Sequence, residues 1–252
     1  MLRIGLLGCG NIGHIICRHA GSFRVSAVYD KKPDRAKETA AISGSRAYPD
    51  FDSFIESDID IVVEAASVGA VVLYAEPVLS HGKDMVIMSV GALTDLSFRN
   101  RIEAAAKKTG KRVFIPSGAI FGLDNMKIGR ISAIRKLLLR TTKSPASLGI
   151  AAESKKMIFQ GKANECIKAF PKNVNVSVAM SLAAGRDTDV ELWVDPEVDR
   201  NVHELFFEGD FGETYIRVVN VQSPDNPATS YLAALSILSL LENLDRSIVI
   251  GT

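Results

Sequence analysis

The residues best placed to do chemistry come early. Gly8-Cys9-Gly10-Asn11-Ile12-Gly13 follows directly on the apolar run Leu2–Leu7, and Asp30 closes a second apolar run, Val25–Tyr29, twenty positions after Gly10. In a G-x-G-x-x-G loop between strand and helix, the first glycine allows the tight turn and the second lets main chain approach a pyrophosphate. The third lets the helix pack against the strand, and the helix N-terminus faces the phosphates. An acidic residue at this spacing accepts the ribose hydroxyls of an adenosine. Gly8, Gly10, Asn11, Ile12, Gly13 and Asp30 are therefore read as dinucleotide-binding. A carboxylate repels a 2′-phosphate, so NAD is the expected cofactor. NADP is tolerated if Lys31 and Lys32 reach that phosphate instead of staying solvated. The later half of the chain offers His203, whose imidazole can exchange protons near neutral pH beside a nicotinamide. From spacing alone, a surface histidine at a strand start is an equal reading.

The elements around these residues alternate. Up to about residue 120, strands (Leu2–Leu7, Val25–Tyr29, 59–66, Asp84–Ser89, Arg112–Pro116) interleave with helices, as a doubly wound parallel sheet requires. Ligands bind beyond the carboxyl ends of such strands. The tips there are Gly8–Gly13, Ala65–Ser67, Ser89–Gly91 and Ser117–Ala119, all small, polar or glycine-rich, and Ala66 and Ser67 join the cofactor set. After about residue 125 strands follow one another: Ile134–Thr142, Asp189–Val194, Val202–Gly209 and Glu213–Val221, the last two joined by a turn at Phe211-Gly212-Glu213. They predict a mostly antiparallel sheet. Asn226 and Pro227 are read as N-cap and first residue of an apolar helix, Ala228–Leu244. The expected fold class is α/β, an N-terminal Rossmann dinucleotide-binding domain plus a smaller α+β domain with a mostly antiparallel sheet. The first domain takes residues 1–124 and the returning helix 226–252. Residues 125–225 form the catalytic and substrate domain, whose outward sheet face is expected to pair subunits in a homodimer.

Composition narrows the classes. A net charge of +1 recommends neither nucleic acid nor an anionic membrane as partner. No apolar run is long enough for a membrane span, and the first strand leaves no room for a leader, so a cytoplasmic location is expected. Cys9, Cys17 and Cys166 lack C-x-x-C spacing, and His14, His19, His81 and His203 lack metal-ligand spacing, so no metal is expected. Cys9 reads as a small buried filler, Glu64 as packed or capping rather than as a base, and His14 and His19 as structural or solvent-facing.

Several stretches together resemble the L-aspartate dehydrogenase family: the glycine loop, Pro116-Ser117-Gly118-Ala119-Ile120-Phe121-Gly122-Leu123-Asp124, Phe170-Pro171-Lys172-Asn173-Val174-Asn175-Val176, Asp195 to His203, and Ser223-Pro224-Asp225-Asn226-Pro227-Ala228-Thr229-Ser230. The resemblance runs through nearly the whole chain in order. It implies NAD(P)-dependent oxidation of L-aspartate to iminoaspartate, which hydrolyses to oxaloacetate and ammonia and also feeds NAD biosynthesis. It further implies that His203 matches the active-site histidine, and that Ala119 and Asn175 match cofactor-contacting residues, with Asn173 the alternative to Asn175. Lys136, Arg140, Lys162 and Lys172 are all available for the substrate carboxylates. The competing readings are another two-domain reductase, resembling dihydrodipicolinate reductase or homoserine dehydrogenase, and a dinucleotide sensor without catalysis. The paired-histidine segment of the first is absent, and no helix-turn-helix or basic stripe supports the sensor.

Overall fold

The structure is a computed structural model that describes residues 1–19, 21–170, 175–224 and 226–250. It divides into two compact units: Met1–Pro116 with Ala234–Thr252, and Ser117–Ala233.

In the first unit the order is β1 (Leu2–Leu7), α1 (Asn11–Arg18), β2 (Phe23–Tyr29), α2 (Pro33–Ser43), β3 (Arg46–Ala47), α3 (Phe51–Ile55), β4 (Ile61–Glu64), α4 (Val68–Ser80), β5 (Asp84–Ile87), α5 (Leu96–Thr109) and β6 (Val113–Phe114). The strands form a parallel sheet in the order β3-β2-β1-β4-β5-β6. Parallel strands covered on both faces read as near-continuous apolar runs, and every residue of β4 is buried. The order reverses between β1 and β4, the crevice where such sheets receive ligands. Local signals set the helix starts. Asp50 and Ser67 cap α3 and α4, and Asp95 caps α5 by accepting from Phe98 N at 2.9 Å. Gly110, at φ +69°, ends α5 in the left-handed conformation.

The second unit contains α6 (Leu123–Met126), β7 (Ile134–Lys143), α7 (Pro145–Leu148), β8 (Lys156–Lys162), α8 (Ala163–Ala169), α9 (Asn175–Ala184), β9 (Asp189–Val194), β10 (Val202–Gly209), β11 (Gly212–Val219), β12 (Gln222–Ser223) and β13 (Asn226–Ser230). Its main sheet runs β11-β10-β7-β9-β8, antiparallel except for the β7–β9 pair, so it is mixed. Strand alternation sorts β7: Leu137, Leu139, Thr141 and Lys143 are buried, whereas Lys136, Leu138 and Arg140 lie on the opposite, partly exposed face. The residues of β10 opposite the buried set, Leu205 and Phe207, are buried too.

Three expectations change. The helix expected from Asn226 starts only at Tyr231 (α10, Tyr231–Leu244). Residues 226–230 instead pair as a strand, with Gln222 opposite Ser230 and Ser223 opposite Asn226. This main-chain pairing overrides the local N-cap and proline signals. The unit boundaries fall at 116/117 and 233/234 instead of 124/125 and 225/226. The Ser117–Gly122 segment is tied to the second unit, because Asn220 Nδ2 donates to Ala119 O at 3.2 Å. Finally, Gly209 pairs with Gly212, so the hairpin turns at Asp210-Phe211, one to two residues earlier than expected.

Candidate active site

In the first unit the carboxyl ends of β1, β2, β4 and β5 meet through main-chain bonds. The three loop glycines behave differently. A Cβ at Gly8, which sits at φ +102°, would lie 2.7 Å from Ala66 Cβ and 2.8 Å from the Ala65 carbonyl carbon. One at Gly13 would lie 2.7 Å from Gly8 O. Gly8 therefore brings the β1 tip against the β4 tip, and Gly13 lets α1 pack on the loop. Beside Gly10 a Cβ would meet nothing within 4 Å. That open side is where a pyrophosphate needs room, and α1, with Asn11 and Ile12 in its first turn, begins there without a side-chain cap.

Asp30, just past β2, holds the loop from the other side. Its Oδ2 accepts from Cys9 N at 2.8 Å and its Oδ1 from Lys32 N at 2.8 Å. Each carboxylate oxygen has a second lone pair for a ribose hydroxyl. The main-chain bond from Lys32 orients the loop that carries the two exposed lysines, Lys31 and Lys32. Cys9 is buried, and burial pushes its thiol up to about 12, so it is inert filler in the loop.

Glu64, at the end of β4, is wholly buried and binds the tips together. Its Oε1 accepts from Ala66 N and Ser89 Oγ, both at 2.8 Å, and its Oε2 from Met88 N at 3.1 Å and Ser89 N at 2.9 Å. Four donors converge on one carboxylate. Burial pushes the Glu64 carboxyl above the usual carboxylate range, and the four donors pull the other way. This clamp sets the main chain of Ala66 and the Ser89–Gly91 tip, and Ser67 Oγ accepts from Ala70 N at 3.2 Å to start α4. The loops expected to hold a dinucleotide thus fit one: an open glycine, an uncapped helix start and a carboxylate just past β2 that holds the loop.

In the second unit His203 lies on β10 directly opposite Thr141 of β7. Its Nδ1 shares a hydrogen bond of 2.9 Å with Thr141 Oγ1. Both residues are buried, at 5% and 2% exposure, and Lys143, two positions on from Thr141, is 8% exposed. Burial, with the Lys143 charge second, pushes the His203 imidazole down to about 3. Burial alone pushes Lys143 down to about 8. The imidazole is neutral, and the threonine fixes its ring. His203 is thus an interior histidine held by a neighbour, not the surface residue that spacing alone allowed.

Ala119 lies in the Ser117–Gly122 segment, its carbonyl held by buried Asn220, whose Oδ1 accepts in turn from Ser230 Oγ. Asn175 is the exposed first residue of α9. Lys172 and Asn173 lie outside the described residues. Among the other expected cations, Lys136 Nζ sits 4.9 Å from the centre of the Phe206 ring. Arg140 Nε donates to Glu191 Oε2 at 2.6 Å, and Lys162 pairs with Asp189. Glu64, read as packed or capping, is both, whereas Thr141, Lys143 and Asn220 escaped the sequence reading. A signal existed for Lys143: it falls in the inward phase of a strand whose earlier inward residues are Leu137 and Leu139.

Comparison with known proteins bears on both units. Residues 8–116 match the family model described as homoserine dehydrogenase, NAD binding domain, and residues 124–244 match that described as aspartate dehydrogenase, C-terminal. The L-aspartate dehydrogenase of Methanospirillum hungatei is 61% identical over 252 residues, spanning 100% of both chains. That of Methanothermobacter thermautotrophicus is 42% identical over 256 residues, spanning 100% of this chain and 99% of its own. The crystal structure of aspartate dehydrogenase from Thermotoga maritima superposes with a TM-score of 0.86 at 30% identity, each chain covered in full. With relatives this similar along its whole length, and with loops built for a dinucleotide, the chain belongs to the L-aspartate dehydrogenase family of NAD(P)-dependent oxidoreductases.

Proposed function

We propose that the protein oxidises L-aspartate to iminoaspartate, which hydrolyses to oxaloacetate and ammonia, and that it prefers NAD while tolerating NADP. Bound NAD supplies the acceptor for the hydride leaving the substrate α-carbon. The chain's own residues bind and orient the partners and move protons. Gly8, Gly10, Asn11, Ile12 and Gly13 cradle the pyrophosphate, and Asp30 receives the ribose hydroxyls. Ala66, Ser67, Ala119 and Asn175 contact the remainder of the cofactor.

His203 accepts a proton from the substrate ammonium group, freeing the nitrogen lone pair that expels hydride, or from the water that attacks the imine. Thr141 holds the ring so that Nε2 is the nitrogen left for that transfer. The reading rests above all on the match of residues 124–244, the part that carries His203, to the aspartate dehydrogenase C-terminal family model. A homoserine dehydrogenase-like activity shares only the cofactor half, residues 8–116. Iminoaspartate is reactive and short-lived, which suits a supply role in NAD biosynthesis. The three buried free cysteines suit the reducing cytoplasm. The outward face of the β7–β11 sheet, with Phe206 and Tyr215 packed 5.0 Å apart, suits a homodimer contact.

The test is NADH formation followed at 340 nm with L-aspartate, D-aspartate, L-glutamate and L-homoserine, each with NAD and NADP. Turnover confined to L-aspartate and faster with NAD is the expected result. Turnover with L-homoserine, or none with L-aspartate despite NAD binding, overturns the proposal. A His203→Ala enzyme that binds NAD yet turns over normally removes the histidine from the mechanism.

A further inference from the structure

Asn220, just past β11, joins three stretches of the second unit at one point. Its Nδ2 donates to Ala119 O at 3.2 Å, across 101 positions of chain, and its Oδ1 accepts from Ser230 Oγ. Its main-chain N–H donates at 2.9 Å to the carbonyl of Asn201, two residues before His203. Asn220 is 3% exposed and Ser230 8%, so the amide is an interior group with both ends engaged. Ala119 itself is only half-buried, and water can serve its carbonyl. Folding alone therefore does not require a buried amide here, and burying one costs more than burying an apolar residue of its size.

Side chains already anchor the far end of the Ser117–Gly122 segment. Ile120 is wholly buried, and a Cβ on Gly122 would lie 2.6 Å from Ile216 Cδ1. Asn220 adds a hold on the main chain: a planar peptide gripped at its oxygen is fixed as a unit. Hydride passes to the nicotinamide where His203 acts, so a cofactor contact tied to the strand of His203 belongs to the nicotinamide half. We propose that Asn220 is a positioning residue. Through the Ala119 carbonyl it fixes the main chain that meets the nicotinamide half of the cofactor, and through Asn201 it keeps that main chain in register with His203. The proposal rests on the reading that Ala119 contacts the cofactor.

The experiment compares wild type, Asn220→Leu, the double variant Asn220→Leu with Ser230→Ala, and Ala119→Val. It measures the urea midpoint, the Kd of NAD, the Kd of ADP-ribose (which lacks the nicotinamide), and kcat with L-aspartate. Asn220→Leu nearly keeps the volume but orphans the Ser230 hydroxyl. The double variant removes that hydroxyl as well, which restores most of the stability without restoring the hold on Ala119. In both, kcat should fall roughly 10- to 100-fold and the NAD Kd rise roughly three- to tenfold, while the ADP-ribose Kd stays within about twofold of wild type. The proposal is overturned if the double variant regains kcat and NAD affinity along with stability, or if NAD and ADP-ribose weaken together. It is overturned equally if kcat stays within about twofold of wild type. Ala119→Val separates the two claims. Weakened NAD binding there, with the Asn220 variants like wild type, removes only the positioning role. Normal NAD binding and turnover in Ala119→Val removes the reading beneath it, and the proposal with it.

Discussion

Replacing Glu64 by Gln keeps the size of the side chain and exchanges one acceptor for a donor. The amide nitrogen can stand in for either oxygen. At the Oε2 position it faces the main-chain N–H groups of Met88 and Ser89. At the Oε1 position it faces Ala66 N–H and the Ser89 hydroxyl, and a hydroxyl can rotate to accept. The second arrangement is cheaper and leaves one main-chain donor, that of Ala66, without its acceptor. An orphaned donor costs about 1–3 kcal/mol, and the exposure of Ala66 to water puts this one near the lower end, ~1 kcal/mol. Glu64→Ala strips the acceptor from the main-chain N–H groups of Ala66 and Ser89, leaves Met88 N–H only the residue 64 carbonyl, and opens a cavity, which predicts ~3 kcal/mol or more. Because the freed group belongs to the β4 tip, NAD affinity should fall about fivefold in Glu64→Gln and further in Glu64→Ala. Urea unfolding followed by circular dichroism gives the first quantity and calorimetric titration with NAD the second. Trp193, the single tryptophan, lies in the second unit, so its fluorescence serves as an internal comparison. Relief of the buried charge acts in the opposite direction. If Glu64→Gln matches wild type in both stability and NAD affinity, the carboxylate is not clamping the tips as an ion, and the reasoning fails.

Further outcomes follow from the same geometry. Gly10→Ala should fold with wild-type stability, since its Cβ meets nothing within 4 Å and the position is already extended, yet bind NAD at least tenfold more weakly. Gly13→Ala should lose ~1–3 kcal/mol in urea unfolding, because its Cβ would lie 2.7 Å from Gly8 O. Equal behaviour of these two variants would contradict the separate roles of the glycines. Asp30→Ala loses the acceptor for Cys9 N and Lys32 N and removes the charge that opposes a 2′-phosphate, so the NADP-to-NAD ratio of kcat/KM should rise at least tenfold. For His203, the folded imidazole titrates near 3 against about 6.5 when unfolded, so the unfolded chain binds the proton first. Its contribution to stability is complete above about pH 6.5 and is lost as pH falls from there toward 3. The urea midpoint of His203→Asn should therefore decline less over that window, and equal slopes would show the ring to be solvated.

The parallel half of the fold was legible because its signals are local. A glycine loop, capping residues and apolar runs each fall within a few positions, and Pro33 at the start of α2 and Gly110 at the end of α5 sit where such signals put them. Pairing between distant segments was less legible. No local feature says that residues 226–230 will join Gln222–Ser223 instead of entering the helix, and α9, from Asn175, begins inside a motif read only for resemblance. The site shows the same division. Asp30 was found by spacing, but its grip on Cys9 N depends on how β1 and β2 align. Glu64 was read as packed or capping, yet four donors from two neighbouring loops reach it only after β4 and β5 have paired. Lys143 required knowing that Thr141 faces His203, a register that belongs to two strands together.

The chain builds the first unit to Pro116, departs to make the second, and returns at Ala234. Ala234, Ile237 and Leu241 of the returning helix are wholly buried. The rest of that unit is therefore synthesised well before this segment. At about 5–20 residues per second, an intervening stretch of this length takes on the order of ten seconds to emerge. Through that interval the first unit lacks the segment that completes it. Ribosomal pausing inside the second unit, or loss of residues 234–244, thus penalises the half of the protein made first.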